Sequence, residues 1–177
     1  MSTEKLVPRR FPKVPIERRT GAFLIDFVIV WIISLTVSNI LLQGLVFAIS
    51  WLILRVVVVD KNQGQSLGRY ALDIKIIDSR YNRVPDLLTL VKREGIVGSA
   101  AFLAMIGLNM GLGLSMLLLI SPLVADCSIA LADENYCQAF HDRLAETYVI
   151  QTQRGYSLDL RLKKLFLQVK RNLRNRG

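Results

Sequence analysis

Two long apolar runs dominate the pattern of hydrophobic and polar positions. Residues 21–59 hold only two charged side chains, Asp26 and Arg55, and residues 95–132 hold one, Asp126. Each run would make a single helix nearly twice as long as a ~30 Å hydrocarbon layer requires at about 1.5 Å per residue. Two helices of about 18 residues joined by a tight turn fit each run better. The few polar residues mark the turns. These are Ser38-Asn39 in the first run and Asn109-Met110-Gly111 in the second, where Gly107, Gly111 and Gly113 cluster and left-handed backbone angles are tolerated. The expected spans are about 21–38, 41–59, 95–108 and 112–131, forming two hairpins. The third is short enough to suit a re-entrant segment as well.

Shorter elements lie between and after the runs. Leu72, Ile74 and Ile76 alternate with Asp73 and Lys75, so Tyr70 to Ile77 reads as a strand. Tyr148 to Thr152 is a second β-branched run, expected to pair with it because a lone strand leaves its backbone unpaired. Residues 78–85 form a polar turn, and 86–93 an amphipathic lead into the third span. From Leu158 to Arg174, Leu158, Leu162, Leu165, Phe166, Val169 and Leu173 share one helical face, with Lys and Arg on most of the other. The pattern predicts an all-α integral membrane protein with about four transmembrane helices, a small cytoplasmic β element and a C-terminal amphipathic helix. Residues 1–19 are a basic arm, 20–152 the membrane domain and 153–177 a basic tail.

Charge sets the orientation. The chain is 52% hydrophobic yet has 23 Lys and Arg against 14 Asp and Glu. The basic residues concentrate in 1–19, 60–94 and 133–177, and the two hairpin tips have none. The positive-inside rule puts all three basic segments in the cytoplasm, which an even number of spans satisfies. The stretch before the first span contains Pro8, Pro12 and Pro15 and no small-residue cleavage site follows, so the first helix is expected to stay as an anchor. Cys127 and Cys137 fall at or near the cytoplasmic face, as a reduced pair. The basic tail is expected to lie in the interface against anionic lipid headgroups, with docking to a partner as its rival. So apolar a chain argues against nucleic acid as the partner.

Three stretches carry a family resemblance. Arg19-Thr20-Gly21-Ala22-Phe23-Leu24-Ile25-Asp26 opens the first span. Gly64-Gln65-Ser66-Leu67-Gly68-Arg69 follows the second, with Arg93 ahead of the third. His141-Asp142-Arg143-Leu144-Ala145-Glu146-Thr147-Tyr148-Val149 stands near the end. In order and spacing the chain resembles the RDD family, named for one arginine and two aspartates, over roughly residues 17–151. The resemblance maps these to Arg19, Asp26 and Asp142. Arg69 stands where the family often has lysine, and Glu146 where it often has glycine. The resemblance implies a small multi-pass protein suspected of transporting ions or other ligands, with no catalytic chemistry to carry over.

The intramembrane charges are the candidate chemistry. With a turn near residue 40, Asp26 and Arg55 sit at matching depth on adjacent antiparallel helices, and Asp126 lies at a similar level. An unpaired charge at such depth costs a few kcal/mol, so Asp26 and Arg55 are expected to pair. Arg19 lies two turns and about 10 Å from Asp26 on the same helix, too far for direct pairing on a straight helix. Two readings of the cluster Arg19, Asp26, Arg55, Asp126 and Asp142 stand side by side. One is a shallow vestibule where Asp26 or Asp126 binds a cation or relays protons. The other is an ion-pair network that fixes helix register and anchors the strands through Asp142. The motif loop residues Gly64, Gly68, Arg69, Arg93 and Thr147 accompany it. The 64–68 loop lacks a phosphate-loop pattern and an obvious following helix. The single histidine, His141, is too few for a metal-dependent hydrolase, and no spacing argues for its use with a serine or cysteine nucleophile. No enzyme activity, cofactor or metal is expected. The functional expectation is a transporter of ions or small ligands in a bacterial cytoplasmic or related internal membrane, possible as a homo-oligomer. The alternative is a non-catalytic accessory or assembly subunit of a larger membrane complex.

Overall fold

The computed structural model describes residues 14–111, 113–133, 137–152 and Gln168. The helix expected over Leu158 to Arg174 and residues 1–13 of the basic arm lie outside the described residues. Helix α1 (Ile16–Ser34) begins directly after Pro15, whose carbonyl accepts from the Arg18 and Arg19 amides. The chain turns through 35–39, and Asn39 caps α2 (Ile40–Leu52) by accepting from the Leu41 and Leu42 amides at 2.9 and 3.3 Å. Helix α2 runs on through a π-helical turn (Ile53–Val57) into α3 (Val58–Lys61). Next come a short helix α4 (Leu67–Ala71), strand β1 (Ile74–Asp78) and the long helices α5 (Leu87–Asn109) and α6 (Leu114–Ala132). Helix α7 (Phe140–Leu144) and strand β2 (Thr147–Gln151) complete the order.

Two of these rods, Ile40–Lys61 and Leu114–Ala132, are long and apolar enough to cross a membrane. Helix α6 makes the solvent requirement plain, since Leu114, Leu117 and Leu118 are 74%, 66% and 64% exposed. So continuous an apolar face is favourable against lipid and costly in water.

Several elements depart from the sequence expectation. Helix α1 spans 16–34 rather than 21–38, and α5 starts at Leu87, merging the amphipathic lead with the expected 95–108 span into one helix. No Pro or turn cluster separates the two halves of α5, and ion pairs absorb the charges of Arg93 and Glu94 at the join. A helix does follow the 64–68 loop: α4, with Ser66 as its N-cap. It consumes Tyr70 and Ala71, so the strand begins at Ile74 instead of Tyr70. The antiparallel pairing of β1 with β2 runs from Ile74 opposite Gln151 to Asp78 opposite Thr147.

The long helices pack in the order α1, α2, α5, α6, with α4 on α1 and α7 against both α5 and α6. The central layer joins Phe27, Val30, Phe47, Trp51, Leu54, Val97, Ala101, Ala104 and Met105. Phe47 stacks on Trp51 at 5.8 Å and meets Phe27 edge-on at 6.0 Å. Val14, Ala22, Leu72, Ile74 and Val149 tie α1 to the sheet, so the strands are seated on the same end of the bundle as the charged residues. The closest approach is at Gly68, where a Cβ would lie 2.1 Å from the Ala22 carbonyl oxygen.

Substitution at this contact separates close approach from mere glycine content. Gly68→Ala is expected to cost about 3 kcal/mol, because backbone atoms on both sides must move. Gly95→Ala meets nothing within 4 Å and is expected to be neutral or to stabilise by up to about 1 kcal/mol through helix propensity. Thermal unfolding of both variants in mild detergent checks the contrast.

Candidate functional site

The charged end of the bundle is built around buried side chains from five elements. Asp26 on α1 points at the start of α4, where its Oδ1 accepts from the Gly68 amide at 2.7 Å and its Oδ2 from Ser66 Oγ at 2.6 Å. The same Oδ2 accepts from Arg55 Nη1 at 2.9 Å. Arg55 sits on the π-helical turn, a widened turn of the sort often found where a side chain must be re-aimed. Its Nε donates to Glu94 Oε2 at 2.7 Å, so one guanidinium bridges two carboxylates. It also lies over the rings of Trp51 and Phe23, at 4.9 and 5.6 Å.

Glu94 is the hub. Besides Arg55, it accepts from Arg69 Nη2 at 2.9 Å and Arg93 Nη1 at 2.5 Å. Arg93 carries the network onward, since its Nε and Nη2 donate to Asp142 Oδ1 at 2.9 and 2.6 Å. Arg19 reaches Asp142 Oδ2 and the Cys137 carbonyl, which leaves Asp26 to Arg55. Thr147, fully buried at the start of β2, lies with its Oγ1 3.5 Å from the Asp142 carbonyl. Gly64, at φ +88°, brings its carbonyl to the Ile76 amide of β1 at 3.0 Å.

Asp126 stands apart from Asp26. Its carboxylate receives the His141 amide at 3.2 Å and lies 2.7 Å from His141 Nδ1. His141 Nε2 is 3.2 Å from Arg93 Nη2. The same Nε2 lies 3.3 Å from Asp142 Oδ1, so the ring stands between the two carboxylates. Asp126 joins the charged cluster through His141 and Arg93.

Outside the spans two groups are strongly perturbed. Burial would raise the Asp142 carboxyl, but the Arg19 and Arg93 guanidiniums overcome it and hold the group well below the usual carboxylate range. Burial, then the like charges of Arg55 and Arg93, pulls Arg69 down to about 9 against the opposing pull of Glu94 and Asp26. Arg69 thus stays protonated at neutral pH.

Sequence reasoning missed Glu94 and Ser66. Glu94 lies one residue outside the apolar run and beside a motif arginine, and that adjacency was the available signal. Ser66 lay inside the motif loop, but its role requires α4, which the sequence did not announce. Arg55 was visible as a charge in an apolar run, whereas its second carboxylate was not.

A partly open pocket of about 70 Å³ lies beside the network, between α1, α5, α6, α7 and the sheet. Arg19, Arg55, Arg69, Arg93, Asp126, His141 and Thr20 form its polar lining. The arrangement defines a membrane-associated helical protein whose charged end is clasped by buried arginine–carboxylate pairs, with room for a small polar group alongside. The chain belongs to the RDD family, whose family profile matches residues 13–146. The arginine and two aspartates of the name are thereby placed: Arg19 pairs with Asp142, and Asp26 pairs with Arg55. No curated protein and no solved structure matches the chain.

Two outcomes follow from the clasp. Asp26→Asn and Arg55→Gln should each lower stability, and Arg55→Gln more severely, by about 3–5 kcal/mol, because it strips a partner from both Asp26 and Glu94. The double variant should recover only part of the loss, and unfolding of all three proteins in detergent measures the coupling. Losses that simply add would mean that the pair is not energetically linked. The second concerns pH. A carboxyl held below its unfolded value stabilises the fold above that value, about 4, and the contribution is lost as pH falls towards the folded value. Melting temperatures of the native chain should therefore drop as pH is lowered through 4, with a shallower drop in Asp142→Asn.

Proposed function

We propose that the protein is a four-span membrane protein, with both termini and residues 60–94 in the cytoplasm, that receives a small ionic ligand at the cytoplasmic end of its helices as a transporter of ions or small ligands. The observation that carries this reading is the partly open pocket of about 70 Å³ bordered by four arginines, Asp126 and His141. Pockets of mixed lining with convergent charged groups are the usual places of ligand recognition, and ionisable residues among membrane helices are functional candidates. The positive-inside bias of the loops supports the orientation, and the α5–α6 hairpin supports the second pair of spans.

The geometry weighs against Asp26 as a cation site. Both of its oxygens are already engaged by Ser66, Gly68 and Arg55. A cation would have to displace a guanidinium and leave it buried without a partner. Asp126 borders the pocket and is the better placed carboxylate. Beyond the pocket the helices meet in the apolar layer of Phe27, Phe47, Trp51 and Ala101. Passage through the membrane would therefore run between copies of the chain or require the helices to move.

A second reading, an accessory subunit of a larger membrane complex, is favoured by the exposed leucines of α6, a face that a partner helix could cover as well as lipid. Purification in mild detergent together with flux assays in proteoliposomes separates the two. A homo-oligomer that carries flux of a small ion supports transport, and a stoichiometric foreign chain without flux supports the accessory role. Topology is checked with single cysteines at 39, 70 and 109 in a background lacking Cys127 and Cys137. An impermeant thiol reagent applied to intact cells should label 39 and 109 and spare 70. Labelling of 70 from outside would overturn the orientation.

A further inference from the structure

We propose that the pocket is a small-oxyanion site that takes phosphate, either free or as the phosphomonoester headgroup of a lipid such as phosphatidic acid, with Arg69 as its chief ligand. The inference rests on the reading of this pocket as a ligand site and names the ligand's chemistry.

The distribution of charge around the pocket is the first observation. The clasp pairs Arg19, Arg55, Arg69 and Arg93 with Asp26, Glu94 and Asp142. Asp126, the acidic residue in the pocket lining, is hydrogen-bonded to His141. The carboxylates of the clasp do not border the pocket, whereas all four arginines do. Among the charged groups of the lining, four are guanidinium donors and one, Asp126, is a carboxylate.

Donor satisfaction points to the same residue. Arg69 is 3% exposed, and its Nη2 donates to Glu94 at 2.9 Å. Its Nη1 has no partner among the described residues. A buried guanidinium N–H without an acceptor is costly, and an oxyanion in the pocket would supply one. The lowering of Arg69 by burial and by the charges of Arg55 and Arg93 describes the same strain, a cation among like charges.

Size and lining select the class. A volume of about 70 Å³ holds roughly five water-sized centres, which is on the scale of one phosphate group. Guanidiniums from α1, the π-helical turn, α4 and α5 border the pocket, and guanidinium is the favoured partner of phosphate. Apolar Ile16, Phe23 and Leu123 share the lining, so a lipid headgroup with the first carbons of its glycerol is also accommodated.

Cys127 lines the pocket and provides a probe that needs no disruptive variant. The full chain carrying Cys137→Ser is placed in phosphatidylcholine nanodiscs, and alkylation of Cys127 is followed with inorganic phosphate, with chloride at equal ionic strength, or with phosphatidic acid added to the disc. Phosphate or phosphatidic acid should slow alkylation at least roughly tenfold and raise the melting temperature by about 5–10 °C at a hundredfold excess over Kd. Arg69→Gln should lose both effects. If that variant does not fold, Arg69→Lys should retain weakened protection, while Arg80→Gln, at an exposed arginine away from the pocket, should behave as the native chain. Protection by phosphate identifies a soluble oxyanion, and protection by phosphatidic acid alone identifies a headgroup. Protection by sodium, potassium or chloride salts but by neither phosphate source overturns the inference and leaves the small-ligand reading standing. Equal reactivity of Cys127 under every condition overturns the inference, and absence of flux as well removes both readings.

Discussion

A guanidinium buried in an apolar bundle is tolerable only when its charge and its N–H groups are answered, and Arg55 is the residue on which this constraint falls hardest. It is 3% exposed, stacked near Trp51 and Phe23, and answered by Asp26 on one side and Glu94 on the other. Those two carboxylates bring their own demands. Asp26 requires the Ser66 hydroxyl and the Gly68 amide, which seats α4 on α1 and leaves no room for a side chain at residue 68. Glu94 requires Arg69 and Arg93, and Arg93 in turn requires Asp142. The register of α1, α2, α4, α5 and α7 follows from one connected set of ion pairs.

Such a network is weak evidence for net stability, because desolvating seven charged groups is expensive and an apolar replacement can be as stable. Its physical value lies in specificity. Apolar helices slide past one another at little cost, since one leucine contact resembles the next, whereas a buried carboxylate has few acceptable partners. The same end of the bundle also carries the two strands, held by Val14, Ala22, Leu72, Ile74 and Val149. Clasp and sheet together form a rigid platform, and the pocket opens beside it. Among the described residues the opposite end has no comparable ion-pair network. Ser34 donates to the Trp31 carbonyl there, and the Trp31 indole N–H reaches across to Asn109 Oδ1 at 3.4 Å. Buried charge among the described residues is thus concentrated at one end.

Much of this was legible from spacing alone. The apolar runs marked the helices, Asn39 and Gly111 marked the turns, and alternation in 72–77 marked the strand near its place. The symmetry of positions 26 and 55 about the first turn brought Asp26 and Arg55 to one depth, where the structure has them 2.9 Å apart. Helix α4 was not legible, because five residues are too few for a periodic signal. The early start of α5 was hidden for a related reason. Charged residues at 92–94 look like a solvent-facing lead when their partners, Asp142 and Arg55, are 49 and 39 positions away.

What the sequence determined by itself was therefore the membrane character of the chain and most of its buried charges, Glu94 excepted, because hydropathy and charge are properties of residues and need no partners to be read. What only the tertiary structure decided was the pairing. Arg19 belongs to Asp142, Glu94 joins three arginines, Asp126 turns to His141, and Arg69 retains an N–H without an acceptor among the described residues. Each depends on the rotation of a helix about its axis and on the widened turn at Ile53–Val57. Those rotations are set by close packing at sites such as Gly68 against Ala22, a contact between segments more than forty residues apart that no local pattern records.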